Sequence, residues 1–336
     1  MISKMKLSSS LYLLSTLCLT SYAHPNPSSN IIDRQAANKN LTDYAYVYFT
    51  GEGLATGEQV YMAVSNNNDP ASWTALKNGN VYLTSNVGTK GIRDPSLIVA
   101  PDRSKFWIIC TDLKVNGLAG GWSNTDMTTK GSKSIVVWES TDLKSWTGPR
   151  LAKVSPDNAG MTWAPDAIWD PSRGQFMVFW TSNIQGAGGG WKTMRCFTKD
   201  FQTFTTAEAY VSLGMDNTIA AYSGKFYMIS KNGPGNLLQE NVASSLNGPW
   251  SKVSENIGKN AMTAGEGPLV FQNNLNPNKW HLWIDDYTKG SGYLPFETTD
   301  LPGGSWTKSQ NYKLPKNPRH GYVVPITAAE RAALVS

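Results

Sequence analysis

The strongest constraint on this chain is a pattern that recurs five times. Each unit ends in a short polar turn and an aromatic residue: Asp69-Pro-Ala-Ser-Trp73, Asp142-Leu-Lys-Ser-Trp146, Asp200-Phe-Gln-Thr-Phe204, Leu246-Asn-Gly-Pro-Trp250 and Leu301-Pro-Gly-Gly-Ser-Trp306. Successive aromatics are 46 to 73 residues apart. That is roughly the length of a four-stranded propeller blade with loops of unequal size. Between the turns lie short runs rich in aromatic and β-branched residues, which read as strands: Tyr44–Thr50, Gln59–Ser65, Ser96–Ala100, Lys105–Thr111, Ser134–Ser140, Gln175–Ser182, Lys225–Ser230 and Trp280–Asp285. Gly, Asn, Asp and Pro fill the gaps, and helical periodicity is confined to about Thr327–Leu334.

Four of the units also open alike, with an acid leading into a short apolar strand: Asp94-Pro-Ser-Leu-Ile-Val, Asp166-Ala-Ile-Trp, Asp216-Asn-Thr-Ile-Ala and Glu266-Gly-Pro-Leu-Val-Phe. The first unit, from Tyr44, lacks such an opening, and the C-terminus supplies a spare strand around Arg319 to Ile326. The expected fold is therefore all-β: a five-bladed β-propeller closed by pairing of the C-terminal strand with the first blade, which removes the edges an open array would expose. A two-sheet sandwich is the rival, and repetition of both the opening acid and the late aromatic speaks against it.

Composition narrows the function. Charged residues are 16% of the chain against about 25% in an average soluble protein, while aromatics reach 11%, which disfavours coiled coils and long solvated helices. Lys and Arg number 30 against 25 acids, and the net +5 is spread without a basic cluster, so nucleic acid is not an expected partner. Lys4 and Lys6, the apolar run Leu11 to Leu19 and Ser21-Tyr22-Ala23 read as a secretory signal peptide over residues 1–23. A flexible segment over 24–43, including a Pro/Ser/Asn spacer at 25–30, would precede a catalytic propeller over 44–336. Beyond the leader no apolar run approaches about 18 residues, so no membrane span is expected and the protein reads as secreted. Asn40-Leu41-Thr42 is an N-glycosylation sequon compatible with that route. Cys110 and Cys196 both lie in apolar strand runs and read as buried thiols rather than a disulfide.

In a propeller the first strand of each blade lies nearest the axis, so equivalent starting positions converge at one end of the channel. Asp94, Asp166, Asp216, Glu266 and His320 are thus expected to form a ring. Any one of these acids alone would be an ordinary turn former, and their shared place in the repeat is what singles them out. Crowded carboxylates repel one another and hold their protons at different pH, as acid/base chemistry needs. Glycoside hydrolysis requires such a pair, one carboxyl protonated to assist the leaving oxygen and one ionised to act on water or carbon. Of the 13 tryptophans, Trp107, Trp138, Trp180 and Trp283 lie within strands and read as core, whereas Trp163 and Trp122 are the candidates for stacking on sugar.

Arg93-Asp94-Pro95-Ser96, Trp163-Ala164-Pro165-Asp166 and Gly265-Glu266-Gly267-Pro268, in this order on successive blade starts, resemble the motifs of glycoside hydrolase family 43. The resemblance implies an inverting mechanism with Asp94 as general base, Glu266 as general acid, and Asp166 tuning and orienting the acid. Arg93, Asp216 and His320 are candidate sugar contacts beside Trp163 and Trp122, although Asp216, with no proline-containing motif, reads first as a turn former. The resemblance requires no cofactor and allows a structural Ca²⁺ in the central channel beside His320. The implied activity is that of a monomeric α-L-arabinofuranosidase acting on arabinan or arabinoxylan of plant cell walls, with β-D-xyloside and galactan cleavage as neighbouring specificities. A full blade, Tyr44 to about Leu83, precedes Asp94, so the ring is cut at a different place than in many family members.

Two other functions fit less well. Invertase-like hydrolases resemble this chain at Arg93-Asp94-Pro95, but Asn68-Asp69-Pro70 lies close before it in a blade turn and Glu266 is followed by Gly267 rather than cysteine. A non-catalytic lectin-like propeller would repeat its binding residues in every blade, whereas these acids are placed asymmetrically.

Overall fold

The computed structural model describes residues 40–233, 237–290 and 292–336, so the leader and most of the segment expected to be flexible lie outside the described residues. Twenty strands run through the described residues, numbered β1 to β20 in chain order. Blade 1 holds β1 (Leu41–Phe49), β2 (Tyr61–Ser65) and β3 (Trp73–Ala75). Blade 2 is β4 (Ile92–Val99), β5 (Phe106–Asp112), β6 (Ser134–Ser140) and β7 (Thr147–Lys153). Blade 3 is β8 (Trp163–Asp170), β9 (Gln175–Ile184), β10 (Gly190–Thr198) and β11 (Glu208–Val211). Blade 4 is β12 (Met215–Tyr222), β13 (Lys225–Lys231), β14 (Leu238–Ala243) and β15 (Ser251–Ile257). Blade 5 is β16 (Glu266–Gln272), β17 (Trp280–Asp286), β18 (Gly292–Thr298) and β19 (Thr307–Lys308). The last strand, β20 (Arg319–Thr327), returns to blade 1 and pairs antiparallel with β1, with Ala45 opposite Val324 and Tyr46 opposite Val323. This is the expected five-bladed propeller and the expected closure.

The inner and middle strands read as almost unbroken apolar runs because they are buried on both faces, and successive residues serve different neighbours; the outermost strands, such as β7 and β15, are largely exposed. In β5, Ile108 packs toward blade 1 and Ile109 toward blade 3; in β17, Leu282 packs toward blade 4 and Trp283 toward blade 1. Trp107, Trp138, Trp180 and Trp283 are all in this core. Cys110 and Cys196 belong to different inter-blade layers and are free, buried thiols.

The repeated polar turn joins the third strand of each blade to the fourth, so the aromatic leads into the outermost strand instead of ending the unit. Asp142 Oδ1 accepts from the Lys144 and Ser145 amides, and Asp200 Oδ1 accepts from those of Gln202 and Thr203. Trp73 and Trp146 then donate their indole N–H to the Pro70 and Leu143 carbonyls at 2.8 and 2.9 Å. An Asx turn of this kind supplies the backbone reversal from a short polar side chain. The ring closure is clasped as well. A C-terminal helix, Ala328–Val335, starts in a capping box of Thr327 and Glu330, and Arg103 from the β4–β5 turn donates to both Glu330 oxygens and to the Pro325 carbonyl.

Candidate active site

The inner strands β20, β4, β8, β12 and β16 contact one another in sequence around the axis. Near the start of four of them the pairing register slips, between Arg93 and Ser96, Trp163 and Asp166, Met215 and Thr218, and Glu266 and Leu269. One residue in each slip adopts a positive φ: Asp94 (51°), Ala164 (50°), Asp216 (52°) and Gly267 (52°). Such a bulge bends a strand and re-aims the side chains beside it. His320 takes the same place in β20. Its amide donates to Asp285 in the preceding blade, as the Ala164 and Asp216 amides donate to Thr111 and Thr181.

These bulges correct the expected ring. The acids are not equivalent: Asp94, Asp216 and His320 share one tier with Ala164 and Gly267. Glu266 stands one residue earlier, in a tier with Arg319, Arg93, Trp163 and Met215. Asp166 stands two residues after its bulge residue, level with Ser96 and Thr218, and so lies further along the channel.

Asp94 Oδ2 accepts from the Thr111 hydroxyl at 2.7 Å, and its Oδ1 lies 3.3 Å from His320 Nδ1. Burial alone would push the Asp94 carboxyl up, but the His320 imidazole, Arg93 and the Thr111 hydrogen bond bring it below the usual aspartate value. Burial works against charge on His320, yet Asp94, Asp216 and Asp285 outweigh it and lift the imidazole to about 9. The two therefore form an imidazolium–carboxylate pair at neutral pH. Asp216 accepts from the Gly267 amide at 3.4 Å, and burial raises its carboxyl to about 6, with His320 and Lys231 opposing and Glu266 and Asp94 reinforcing. Glu266 Oε2 receives Lys231 Nζ at 2.9 Å and its Oε1 lies 3.3 Å from Arg319, whose Nε donates to the buried Asp285 at 2.6 Å. Burial lowers the Lys231 ammonium's hold on its proton, but Glu266 and Asp216 more than restore it.

Asp166 faces elsewhere. Its oxygens accept from the Ala167 amide at 2.7 Å and the Thr218 hydroxyl at 3.1 Å, and burial lifts it to about 7 despite those bonds and the His320 charge. Arg93, expected at the sugar, is buried and spends its guanidinium on Glu52 (3.0 Å) and Glu58 (2.9 Å). It also stacks on Phe49 and Trp122, so it shapes the wall from behind. Trp122 is half exposed and donates to Glu52 at 2.7 Å, and Trp163 meets it edge-on. Among the described residues no group of three or more His, Cys, Asp or Glu side chains converges as direct metal ligation needs, and His320 Nδ1 is engaged by Asp94.

Lys231, Arg319 and Asp285 were not singled out by the repeat. A signal for the register was present nonetheless: proline follows the bulge residue at Pro95, Pro165 and Pro268. Aligning on it would have placed Ala164, not Asp166, opposite Asp94.

The family model described as "Probable glycosyl hydrolase domain", Glyco_hydro_43_rel, matches residues 39–332. The chain belongs to that family. It is thus a glycoside hydrolase related to family 43, a class that acts on glycosidic bonds of carbohydrates. An α-L-arabinofuranosidase of Bifidobacterium longum subsp. longum is 31% identical over 216 residues, a match covering 58% of this chain and 20% of the relative. This chain therefore spans about a fifth of that relative's length. Among solved structures, a family 43 β-1,3-galactosidase superposes with a TM-score of 0.53 at 14% identity, covering 76% of this chain and 54% of the other. An endo-1,4-β-xylanase of Bacteroides thetaiotaomicron gives 0.50 at 16% identity over 74% and 82%. These two likenesses show the fold alone.

Proposed function

We propose that the protein is an inverting α-L-arabinofuranosidase acting on arabinan or arabinoxylan, with Asp94 as general base and Glu266 as general acid. The observation that carries this reading is the contrast between the two carboxylates. Asp94 is held ionised by His320 and Thr111, ready to take a proton from water. Glu266 stands on blade 5 with blade 1 between it and Asp94, partly exposed at 27% and held by Lys231 and Arg319. Inversion requires a base and acid about 6.5–9.5 Å apart so that water fits beneath the sugar, and carboxylates on non-neighbouring blades suit that spacing.

Asp216, rather than Asp166, is the group we assign to tuning the acid. It bonds the amide next to Glu266 and shares that residue's electrostatic environment, whereas Asp166 is turned to Thr218. The arabinoside preference follows the name of the Bifidobacterium relative, and secretion follows the leader at 1–23.

The test is a panel of nitrophenyl α-L-arabinofuranoside, β-D-xyloside and β-D-galactoside, with arabinan and arabinoxylan alongside. Release from the arabinofuranoside, abolished in Glu266→Ala with the fold intact, is the expected result. Turnover of only the xyloside or galactoside would replace the specificity. Arabinan binding without turnover of any glycoside would make the protein a glycan-binding propeller.

A further inference from the structure

Trp122 and Trp191 are the only tryptophans among the exposed large apolar side chains of the described residues, at 50% and 51% exposure. Both lean on the same ring. Trp163 meets Trp122 at 6.2 Å and 86°, and Trp191 at 6.1 Å and 71°. The three indoles therefore make one stepped wall, drawn from the loop after β5, the start of β8 and the start of β10. Trp163 belongs to the tier of Glu266 and Arg319, so the wall begins at the mouth of the funnel and leads away from it.

The wall is also braced. The Trp122 indole N–H donates to Glu52 at 2.7 Å, the Arg93 guanidinium lies 4.7 Å from its ring, and Arg93 is itself fixed by the fully buried Glu58. An apolar face left in water yet held this firmly from behind is built to receive something on its free side. Aromatic faces suit the C–H-rich faces of sugar rings, and the polar indole edge tolerates the wet surroundings.

We propose that Trp122, Trp163 and Trp191 form a platform for successive sugar rings of a polysaccharide, with Trp191 contacting the unit furthest from the cleaved bond. The proposal rests on the glycosidase reading and assigns the residues that meet the sugars beyond the cleaved unit. Trp191 is then a specificity-determining residue. It stands after Gly186–Gly190, a hairpin segment with no large side chain to compete for the wall.

Two measurements on Trp191→Ala test it. In kinetics, the ratio of kcat/KM on arabino-oligosaccharides to kcat/KM on nitrophenyl arabinofuranoside falls about tenfold, equivalent to about 1.4 kcal/mol, chiefly through KM, and Trp191→Phe restores most of it. In affinity electrophoresis through gels containing arabinan or arabinoxylan, the wild type is retarded and Trp191→Ala runs ahead of it. An unchanged kinetic ratio together with equal retardation overturns the platform. If the wild type cleaves no glycoside but Trp191→Ala still loses retardation, the enzymatic reading falls and the platform stands. A change in oligomeric state without a change in retardation would make the wall a protein interface and overturn the proposal.

Discussion

Replacing Asp166 with asparagine probes the electrostatics of the channel away from the reacting groups. Burial lifts the Asp166 carboxyl from 3.8 to about 7, against the pull of the Ala167 amide, the Thr218 hydroxyl and the His320 charge. A carboxyl that holds its proton more tightly folded than unfolded contributes stability that is complete below about pH 4 and lost as the pH rises through about 7. The difference of ~3 pKa units corresponds to ~4 kcal/mol. Asparagine keeps the shape: its Oδ1 can accept from Ala167, and its Nδ2 can donate to a reoriented Thr218 hydroxyl. Having no charge to bury, Asp166→Asn escapes the loss. Above pH 7.5 it should be the more stable protein by up to ~4 kcal/mol, or ~6 °C in Tm for a domain of this size. Near pH 4 the two should melt together. Calorimetry of both proteins at pH 4.5, 6 and 8 measures the gap, with the other titrating groups cancelling between them. A gap independent of pH, or one that turns against the variant as pH rises, would mean that Asp166 does not hold its proton through burial.

Three further outcomes are expected. Asp94→Asn should lower kcat by about 10²–10⁴-fold, the usual worth of a general base, and His320, freed of its strongest partner, should titrate well below about 9 when followed by NMR. Asp216→Asn should remove an inflection near pH 6 from the pH profile of kcat/KM, since burial and its neighbours place that carboxyl at about 6. Glu58→Gln should cost about 3 kcal/mol in denaturant unfolding, because the carboxylate is fully buried and accepts from Arg93 and the Val115 and Asn116 amides.

Much of the fold was legible because it is carried by local chemistry. A polar turn followed by an aromatic marks the third-to-fourth strand connection in every blade, and Arg319 to Ile326 was a strand without a unit of its own. Asp94, Glu266 and His320 were found because an inner-strand start faces the axis. Asp166 was misplaced because it stands two residues beyond its bulge residue Ala164, whereas Asp94 and Asp216 are themselves the bulge residues, so it lies one step further along its strand. Counting acids hides that shift, whereas the prolines at 95, 165 and 268 mark it. Arg93 looked like a sugar ligand beside the base, but its two glutamate partners come from the loop before β2, far off in the repeat. Lys231, Asp285 and Trp191 carry no local signal at all, since what brings each to the site is the position of its strand in the ring.

The central claim is that Asp94 and Glu266 act as base and acid on opposite faces of one sugar. Proton NMR of the first product released from nitrophenyl arabinofuranoside, read before mutarotation, tests it most directly. The β-anomer of arabinose, the inverted configuration, is the expected product. Initial release of the α-anomer would mean that a carboxylate attacks the sugar itself, and would contradict the claim.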